Sequence, residues 1–285
     1  MNTIRAARRR PHLAVVAAVL AAAAVAFPAS QAAAAGAVAG TPHPQASHGA
    51  KPTIVFVHGA FADSSSWNGE VSRLQHDGYT VDVPPNPLQG LYYDSTFIRD
   101  YLHTISGPII LVGHSYGGAV ITNAATGDKQ VKALVYVDAF LPNKGQTLQE
   151  LITAKPGTCV TTPDETFAPY PGAPKGSVDI YIKQSAFRWC FADGLPTAEA
   201  EQLAATQRPV ASIAFTQPTG VPAWKSIPSW AVVGTIDNAI PPAELIAMAK
   251  AAGARITKVH AGHLSMVADP GVITSVILQA IKATT

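Results

Sequence analysis

Short runs of apolar residues alternate along the chain with longer segments in which apolar residues recur at helical spacing. Several of the short runs are apolar at almost every position, which is typical of strands buried on both faces of a parallel sheet. The pattern predicts strands at residues 53–57, 79–83, 108–112, 133–137, 229–233 and 255–260. It predicts helices at residues 67–76, 95–105, 116–126, 242–252 and 272–283.

This alternation predicts an α/β fold. Consecutive strand–helix units build a mostly parallel sheet, here of about six strands, with helices on both faces. Sheets of this kind bind ligands beyond the carboxyl ends of their strands. The residues that carry chemistry are therefore expected in the segments that directly follow strands.

One long interval interrupts the alternation. Residues 140–223 show no clear strand pattern and contain many prolines and glycines, with helices predicted at 147–154, 177–191 and 197–207. An insertion of this length between two strands is typical of a cap or lid rather than of a connecting loop. The sequence therefore predicts a core at 52–139 and 224–285, and a cap at 140–223.

The chain begins with a segment that predicts export. Arginines among the first ten residues precede an apolar run over residues 13–27, and small residues follow this run. This order predicts a secretory signal peptide at residues 1–35, a flexible leader at 36–51 and a secreted protein. A membrane anchor is the alternative, but the run is shorter than the ~20 apolar residues that a spanning helix needs.

Composition and charge narrow the classes of partner. Hydrophobic residues make up 48% of the chain and charged residues only 13%, so a sizeable core is available. The net charge of +2 becomes −2 without residues 1–35, which hold four arginines and no acidic residue. No basic tract then remains for a nucleic acid or a membrane surface. We expect no nucleic-acid partner, no stable membrane anchor, and a monomer or homodimer.

The segment GHSYG at residues 113–117 places a serine between glycines, after a predicted strand and at the start of a predicted helix. This context predicts a nucleophile elbow, a sharp turn that exposes the serine hydroxyl at the edge of a sheet. Glycines two positions to either side leave room for close backbone packing. Ser115 is therefore the candidate nucleophile, and an ordinary turn serine is the alternative.

A serine nucleophile needs a base, and the base needs an acid that orients it. After an elbow of this kind the acid comes first along the chain and the histidine second. Asp237 directly follows one predicted strand, and His263 follows the last predicted strand. These two residues are the predicted acid and base, with Asp138 as the alternative acid and His260 as the alternative base.

Two backbone amides are candidates for an oxyanion hole. The amide of Tyr116 lies at a predicted helix N-terminus, where N–H groups face a developing negative charge. The second amide is expected in the loop after the first strand, where Ala60 is the first choice and Phe61 the second. The neighbouring His58 and His114 are expected to have structural roles.

Together these residues resemble the α/β-hydrolase superfamily. The resemblance extends over about residues 52–283 and rests on the segments VHGAFADSSSW, GHSYGGAV, YVDAFLP, PAWKSIPSWAVVGTIDNAIPP and HAGHLSMVADP. The most similar branch contains plant methyl-ester esterases, hydroxynitrile lyases and bacterial esterases. Its hydroxynitrile lyases carry threonine and lysine where this chain has Gly59 and Leu264. Without that lysine no cation stabilises a leaving cyanide, so the resemblance favours esterase chemistry.

Together with the signal-peptide pattern, the resemblance implies a secreted serine hydrolase. It is expected to cleave small to medium hydrophobic carboxylic esters through an acyl-serine intermediate, with no metal or organic cofactor required. The alternatives are a C–C lyase or perhydrolase with the same triad, and a non-catalytic ligand-binding relative. Phe61, Leu141 and Trp189 are predicted to contact the substrate. Cys159 and Cys190 can form a disulfide in an exported protein or remain buried free thiols.

Overall fold

The computed structural model describes residues 51–285, so the predicted signal peptide and all but the last residue of the predicted leader lie outside it. The described chain contains the strands β1 (Thr53–Val57), β2 (Val81–Asp82), β3 (Ile109–His114), β4 (Val131–Val137), β5 (Glu165–Ala168), β6 (Asp179–Ile182), β7 (Val210–Ala211), β8 (Ser229–Gly234) and β9 (Arg255–Val259). It contains the helices α1 (Asn68–His76), α2 (Leu91–Leu102), α3 (Tyr116–Ala124), α4 (Leu148–Ile152), α5 (Gln184–Cys190), α6 (Thr197–Thr206), α7 (Ile213–Thr216), α8 (Pro242–Ala251), α9 (Ser265–Ala268) and α10 (Pro270–Thr284). Within this part of the chain, none of the helices combines the length and the apolar character needed to cross a membrane.

Six strands form a parallel sheet in the order β2-β1-β3-β4-β8-β9. β3 and β8 are buried at every position, which explains why their sequences read as continuous apolar runs. α2 packs on α3, which contacts β1, β3 and β4, whereas α1 packs on α10, which contacts β3, β4 and β8. The predicted fold class is thus confirmed.

Most core elements lie within about two residues of their predicted bounds, but two differ more. The predicted strand at 79–83 is reduced to β2, a half-buried pair of residues at the edge of the sheet. The helix predicted at 95–105 begins earlier, at Leu91. Its first turn is fixed by Asp94, whose carboxylate accepts hydrogen bonds from the amides of Gln89 (3.0 Å) and Gly90 (3.3 Å). A carboxylate near a helix N-terminus satisfies amides that otherwise have no partner.

The chain between β4 and β8 contains a second sheet, which the sequence did not predict. β5, β6 and β7 form an antiparallel sheet of three strands. The single helix predicted at 177–191 is therefore wrong in its first part, which is β6. Ile180 and Ile182 are buried, while the residues between and before them are half-buried. Over these four residues, burial therefore alternates with the period of two typical of a strand rather than the period of 3.6 typical of a helix. The helix begins after β6, as α5.

A disulfide joins Cys159, which follows α4, to Cys190 at the end of α5. Both cysteines are buried. The bond therefore connects the first and the middle parts of the segment between β4 and β8. Of the two alternatives that the sequence left open, the structure has the disulfide.

Candidate active site

Ser115 lies on the sharp turn between β3 and α3, at the carboxyl edge of the parallel sheet. Its φ of 51° and ψ of −121° are strained for a residue with a side chain. The turn is so tight that it leaves no room for a side chain at its two glycines. A Cβ at Gly117 would lie 2.4 Å from the carbonyl oxygen of Val57, and a Cβ at Gly113 would lie 2.7 Å from the carbonyl oxygen of Gly117. Glycine at both positions is thus a steric requirement of the turn.

Three side chains from separate loops form a chain of hydrogen bonds at this edge. The Ser115 Oγ lies 2.9 Å from His263 Nε2, and His263 Nδ1 lies 2.8 Å from Asp237 Oδ2. The other carboxylate oxygen of Asp237 accepts hydrogen bonds from the amides of Ala239 and Ile240, each at 2.8 Å. The structure therefore brings together the three residues predicted as nucleophile, base and acid, in the geometry of a triad.

The electrostatics of His263 are dominated by its acid partner. Burial disfavours the charged imidazole, but the charge and the hydrogen bond of Asp237 outweigh this effect, so the pKa of His263 is raised above 6.5. Both side chains are almost completely buried, so the pair is shielded from solvent screening. This arrangement favours the protonated form of the imidazole, as the acid of a triad does.

The two alternative residues have other partners. Asp138 follows β4 and accepts hydrogen bonds from the Gly234 amide at 2.6 Å and from the Ser265 hydroxyl, which connects it to the end of β8 and to α9. Burial, together with the nearby charge of Asp237, raises the pKa of Asp138 to about 7. His260 is exposed, and its Nδ1 lies 3.5 Å from the hydroxyl of Thr235.

Two amides are free to bind an oxyanion. Among the described residues, neither the Ala60 nor the Tyr116 amide has a hydrogen-bond acceptor. The second choice for the loop, the Phe61 amide, already donates to the carbonyl oxygen of Arg208 at 3.1 Å. Because an oxyanion needs donors without a competing acceptor, Ala60 and Tyr116 are the better pair.

The loop that presents Ala60 is held by His58. The Nδ1 of this histidine donates to the Gly59 carbonyl oxygen at 2.9 Å, and its Nε2 accepts from the Asn86 amide at 3.0 Å. Burial lowers the pKa of His58 to about 4, so the ring is neutral and can serve as both donor and acceptor. This is the structural role expected for it.

The backbone of His263 is held from two sides. The Nε2 of His114 donates to the His263 carbonyl oxygen at 2.9 Å, and Asp193 accepts the His263 amide proton at 3.1 Å. Asp193 belongs to the segment between β4 and β8, so the inserted part of the chain contacts the triad directly. Sequence reasoning missed Asp193, since no motif or spacing in that segment marks it.

A second missed contact fixes the residue after the nucleophile. The Tyr116 hydroxyl donates to Asp94 Oδ2 at 2.6 Å, and both side chains are buried. Burial raises the pKa of Asp94 to about 6. Sequence reasoning missed this contact, because the two residues are 22 positions apart and no motif connects them.

A small cavity of about 20 Å³, here called the inner chamber, borders Ser115. Apolar side chains dominate its wall, and His263 and Tyr116 also border it. The phenylalanines in the wall are Phe61, Phe140, Phe191 and Phe215. Leu141 and Trp189, which were predicted to contact the substrate, do not line it. The Trp189 side chain is 50% exposed, because the inward face of α5 presents Phe187 instead. Phe140 is in the wall in place of its neighbour Leu141.

Residues 54–275 match the sequence profile of the alpha/beta hydrolase family. The carbendazim-hydrolysing esterase of Nocardioides sp. (strain SG-4G) is 35% identical over 112 residues, which cover 35% of this chain and 46% of that enzyme. The alpha/beta hydrolase nvfD of Aspergillus novofumigatus (strain IBT 16806) is 26% identical over 258 residues, covering 81% of this chain and 96% of that protein. The chain thus spans about half of the first relative and nearly all of the second.

Solved structures show the same fold. A pyrethroid hydrolase from Sphingobium faniae JZ-2 superimposes with a TM-score of 0.67 at 21% identity, covering 81% of this chain and 98% of that one. An extracellular alpha/beta-hydrolase from a Paenibacillus species gives a TM-score of 0.65 at 21% identity, covering 80% and 98%. Esterases and hydrolases are thus among the proteins that this chain resembles.

Proposed function

The chain belongs to the alpha/beta hydrolase family, and we propose that it is an exported serine esterase that cleaves small to medium hydrophobic carboxylic esters through an acyl-serine intermediate. The observation that carries this proposal is the hydrogen-bonded chain from Ser115 through His263 to Asp237 beside the inner chamber. A hydroxyl, a base and an orienting acid in this order are the requirements of nucleophilic acyl transfer.

The reaction follows from the positions of these groups. The Ser115 oxygen attacks the ester carbonyl carbon while His263 accepts the hydroxyl proton, and the amides of Ala60 and Tyr116 stabilise the oxyanion. The bond to the alcohol oxygen then breaks, and His263 donates its proton to the leaving alkoxide. A water molecule deprotonated by His263 attacks the acyl-serine, which releases the carboxylic acid and returns the proton to Ser115. Asp237 holds the imidazole tautomer throughout.

The proposed substrate class rests on the wall of the inner chamber. Its volume is only about 20 Å³, and its wall carries no charged side chain apart from the triad histidine. A small uncharged group therefore fits this chamber better than a sugar, a phosphate or an amino-acid side chain with a charge. The carbendazim-hydrolysing esterase is a relative whose named activity is of this general kind.

Export is proposed from two observations. Arginines followed by an apolar run and small residues form a signal-peptide pattern at the start of the chain. The disulfide between Cys159 and Cys190 is of a type that persists in oxidising compartments outside the cytosol. Fractionation of the producing cells tests this point, because an exported protein is recovered from the medium or periplasm, shortened at its N-terminus. Recovery of the full-length chain from the cytosol would contradict it.

Hydrolysis of p-nitrophenyl acetate tests the proposed activity. Ser115→Ala should reduce kcat by ~10³–10⁶-fold, because the nucleophile is lost while the oxyanion hole and the chamber remain. Ser275→Ala is the matched control. Its hydroxyl lies on α10, is exposed and donates only to the Gly271 carbonyl oxygen, so this variant should hydrolyse the ester at the wild-type rate. A Ser115→Ala protein that keeps most of the wild-type kcat would refute the proposal.

A further inference from the structure

The segment between β4 and β8 contains a second cavity that the proposed reaction does not use. This cavity, here called the cap groove, has a volume of about 400 Å³ and opens to solvent. It lies between α4, the antiparallel sheet and α7, and the loop that follows Cys159 forms one side. It is therefore far larger than the inner chamber.

The cap groove and the inner chamber share a wall. Ile152, Val160 and Phe215 border both cavities, so the groove begins next to the chamber. Every ester has two groups, one on each side of the carbonyl carbon that Ser115 attacks. Because the inner chamber holds only one small group, the other group needs a second space that begins at the chamber wall.

The groove also has a definite chemical character. The hydroxyls of Thr153, Thr158 and Thr216 each donate their proton to a backbone carbonyl oxygen, at 2.8, 2.8 and 3.3 Å. Each hydroxyl oxygen then has only acceptor capacity left for a ligand. Glu165 is the single charged residue in the groove wall, and it is half-buried. The groove therefore offers a negative charge and these acceptors beside apolar side chains such as Phe167 and Ile180, while Gln149, Thr162 and Ser212 add neutral polar groups.

We propose that the cap groove binds the larger group of a two-part ester, and that this group is apolar with hydrogen-bond donors and either neutral or cationic. This inference rests on the proposed esterase function and specifies its substrate class. An anionic group is disfavoured, because it would face the carboxylate of Glu165 and the oxygens of Thr153, Thr158 and Thr216, whose protons are already donated to backbone carbonyls. The small group of the same ester occupies the inner chamber during attack by Ser115.

Two biphenylyl acetates test this assignment, one with an aminomethyl group on the distal ring and the other with a sulfonate there. The wild-type protein should hydrolyse the aminomethyl ester with a kcat/KM about tenfold above that of the sulfonate ester. Glu165→Gln should reduce this preference by about threefold, because the charge is lost while the side-chain shape is kept. An equal kcat/KM for the two esters, unchanged in Glu165→Gln, would overturn the proposal.

A filled groove provides a second test that does not depend on charge. Thr216 is exposed at the end of α7, so Thr216→Trp places an indole in the groove without disturbing buried packing. The ratio of kcat/KM for either biphenylyl acetate to that for p-nitrophenyl acetate should fall by about tenfold. Val221→Trp adds an indole at an exposed position that lines neither cavity, and this ratio should equal that of the wild type.

The two proposals fail in different ways. If the wild type hydrolyses p-nitrophenyl acetate through Ser115 but Thr216→Trp leaves the ratio unchanged, the groove assignment is wrong and the esterase function stands. If the folded wild type hydrolyses none of the three esters, the esterase function is wrong, and the groove assignment falls with it.

Discussion

The disulfide between Cys159 and Cys190 holds two segments that both contact the loop of the triad acid. The Cys159 amide donates to the Asn238 carbonyl oxygen at 2.9 Å, and the Asn238 side chain donates to the Trp189 carbonyl oxygen at 2.9 Å. Asn238 directly follows Asp237 in the chain. Replacing both cysteines by alanine removes the covalent link but leaves these hydrogen-bonding groups in place, so the variant isolates the contribution of the link.

The expected loss of stability follows from the length of the closed loop. The cysteines are 31 residues apart, and the chain-entropy relation for a loop of this length gives a stabilisation of about 3.7 kcal/mol at 25 °C. For a folded unit of this size, each kcal/mol shifts Tm by about 2–4 °C. The Cys159→Ala, Cys190→Ala variant should therefore unfold at a Tm about 7–15 °C below that of the wild type.

Differential scanning calorimetry of the oxidised wild type and the double variant measures this shift. Asn238→Ala with the disulfide intact is the control, because it removes the side-chain contact to Trp189 but keeps the covalent link. Its loss should be that of one hydrogen bond, about 1 kcal/mol, or about 2–4 °C in Tm. A double variant that unfolds within 2 °C of the wild type would refute the reasoning, since the link would then not restrain the unfolded chain.

Three further predictions concern charge and position. His263 accepts a proton only when it is neutral, and its pKa is raised above 6.5. The value of kcat/KM should therefore decline as the pH falls, with a midpoint above pH 6.5. A midpoint below pH 6.5 would contradict the pairing of His263 with Asp237. Asp193→Ala should lower kcat by about tenfold with little change in KM. Asp193→Asn keeps an acceptor for the His263 amide, so its kcat should be close to that of the wild type. Equal losses of kcat in the two variants would contradict a positioning role for Asp193. Burial raises the pKa of Glu70 from 4.5 to about 9, so the folded protein keeps a proton that the unfolded chain loses above pH 4.5. The free energy of unfolding of the wild type should therefore fall as the pH rises from 5 to 8, by up to about 1.4 kcal/mol per pH unit relative to Glu70→Gln. Urea denaturation of both proteins measures this difference. Parallel pH profiles for the two proteins would contradict the prediction.

The core and the triad could be predicted from the sequence because each depends on local patterns. β3 and β8 are buried throughout, so their apolar runs identify them without knowledge of their neighbours. Ser115 is marked by the glycines of its turn, and Asp237 and His263 directly follow strands, which places them at one edge of a parallel sheet.

The remaining parts depend on contacts between distant segments, which no local pattern records. β6 is too short for its alternation to stand out from the amphipathic pattern of the following helix. Asp193 contacts His263 only because the inserted segment folds back over the sheet edge, 70 residues away in sequence. Trp189 and Phe187 are both aromatic residues of one short helix, and only the packing of α5 decides that Phe187 faces inward.

Covalent labelling of the nucleophile tests the central claim most directly. Diethyl p-nitrophenyl phosphate should react with the Ser115 oxygen, so that the bond between phosphorus and the nitrophenyl oxygen breaks and p-nitrophenolate is released. Mass spectrometry of the digested protein should then find a single diethylphosphoryl group on the peptide that contains Ser115, together with complete loss of esterase activity. A label on another residue, or an unlabelled protein that still hydrolyses esters in the presence of this reagent, would contradict Ser115 as the nucleophile.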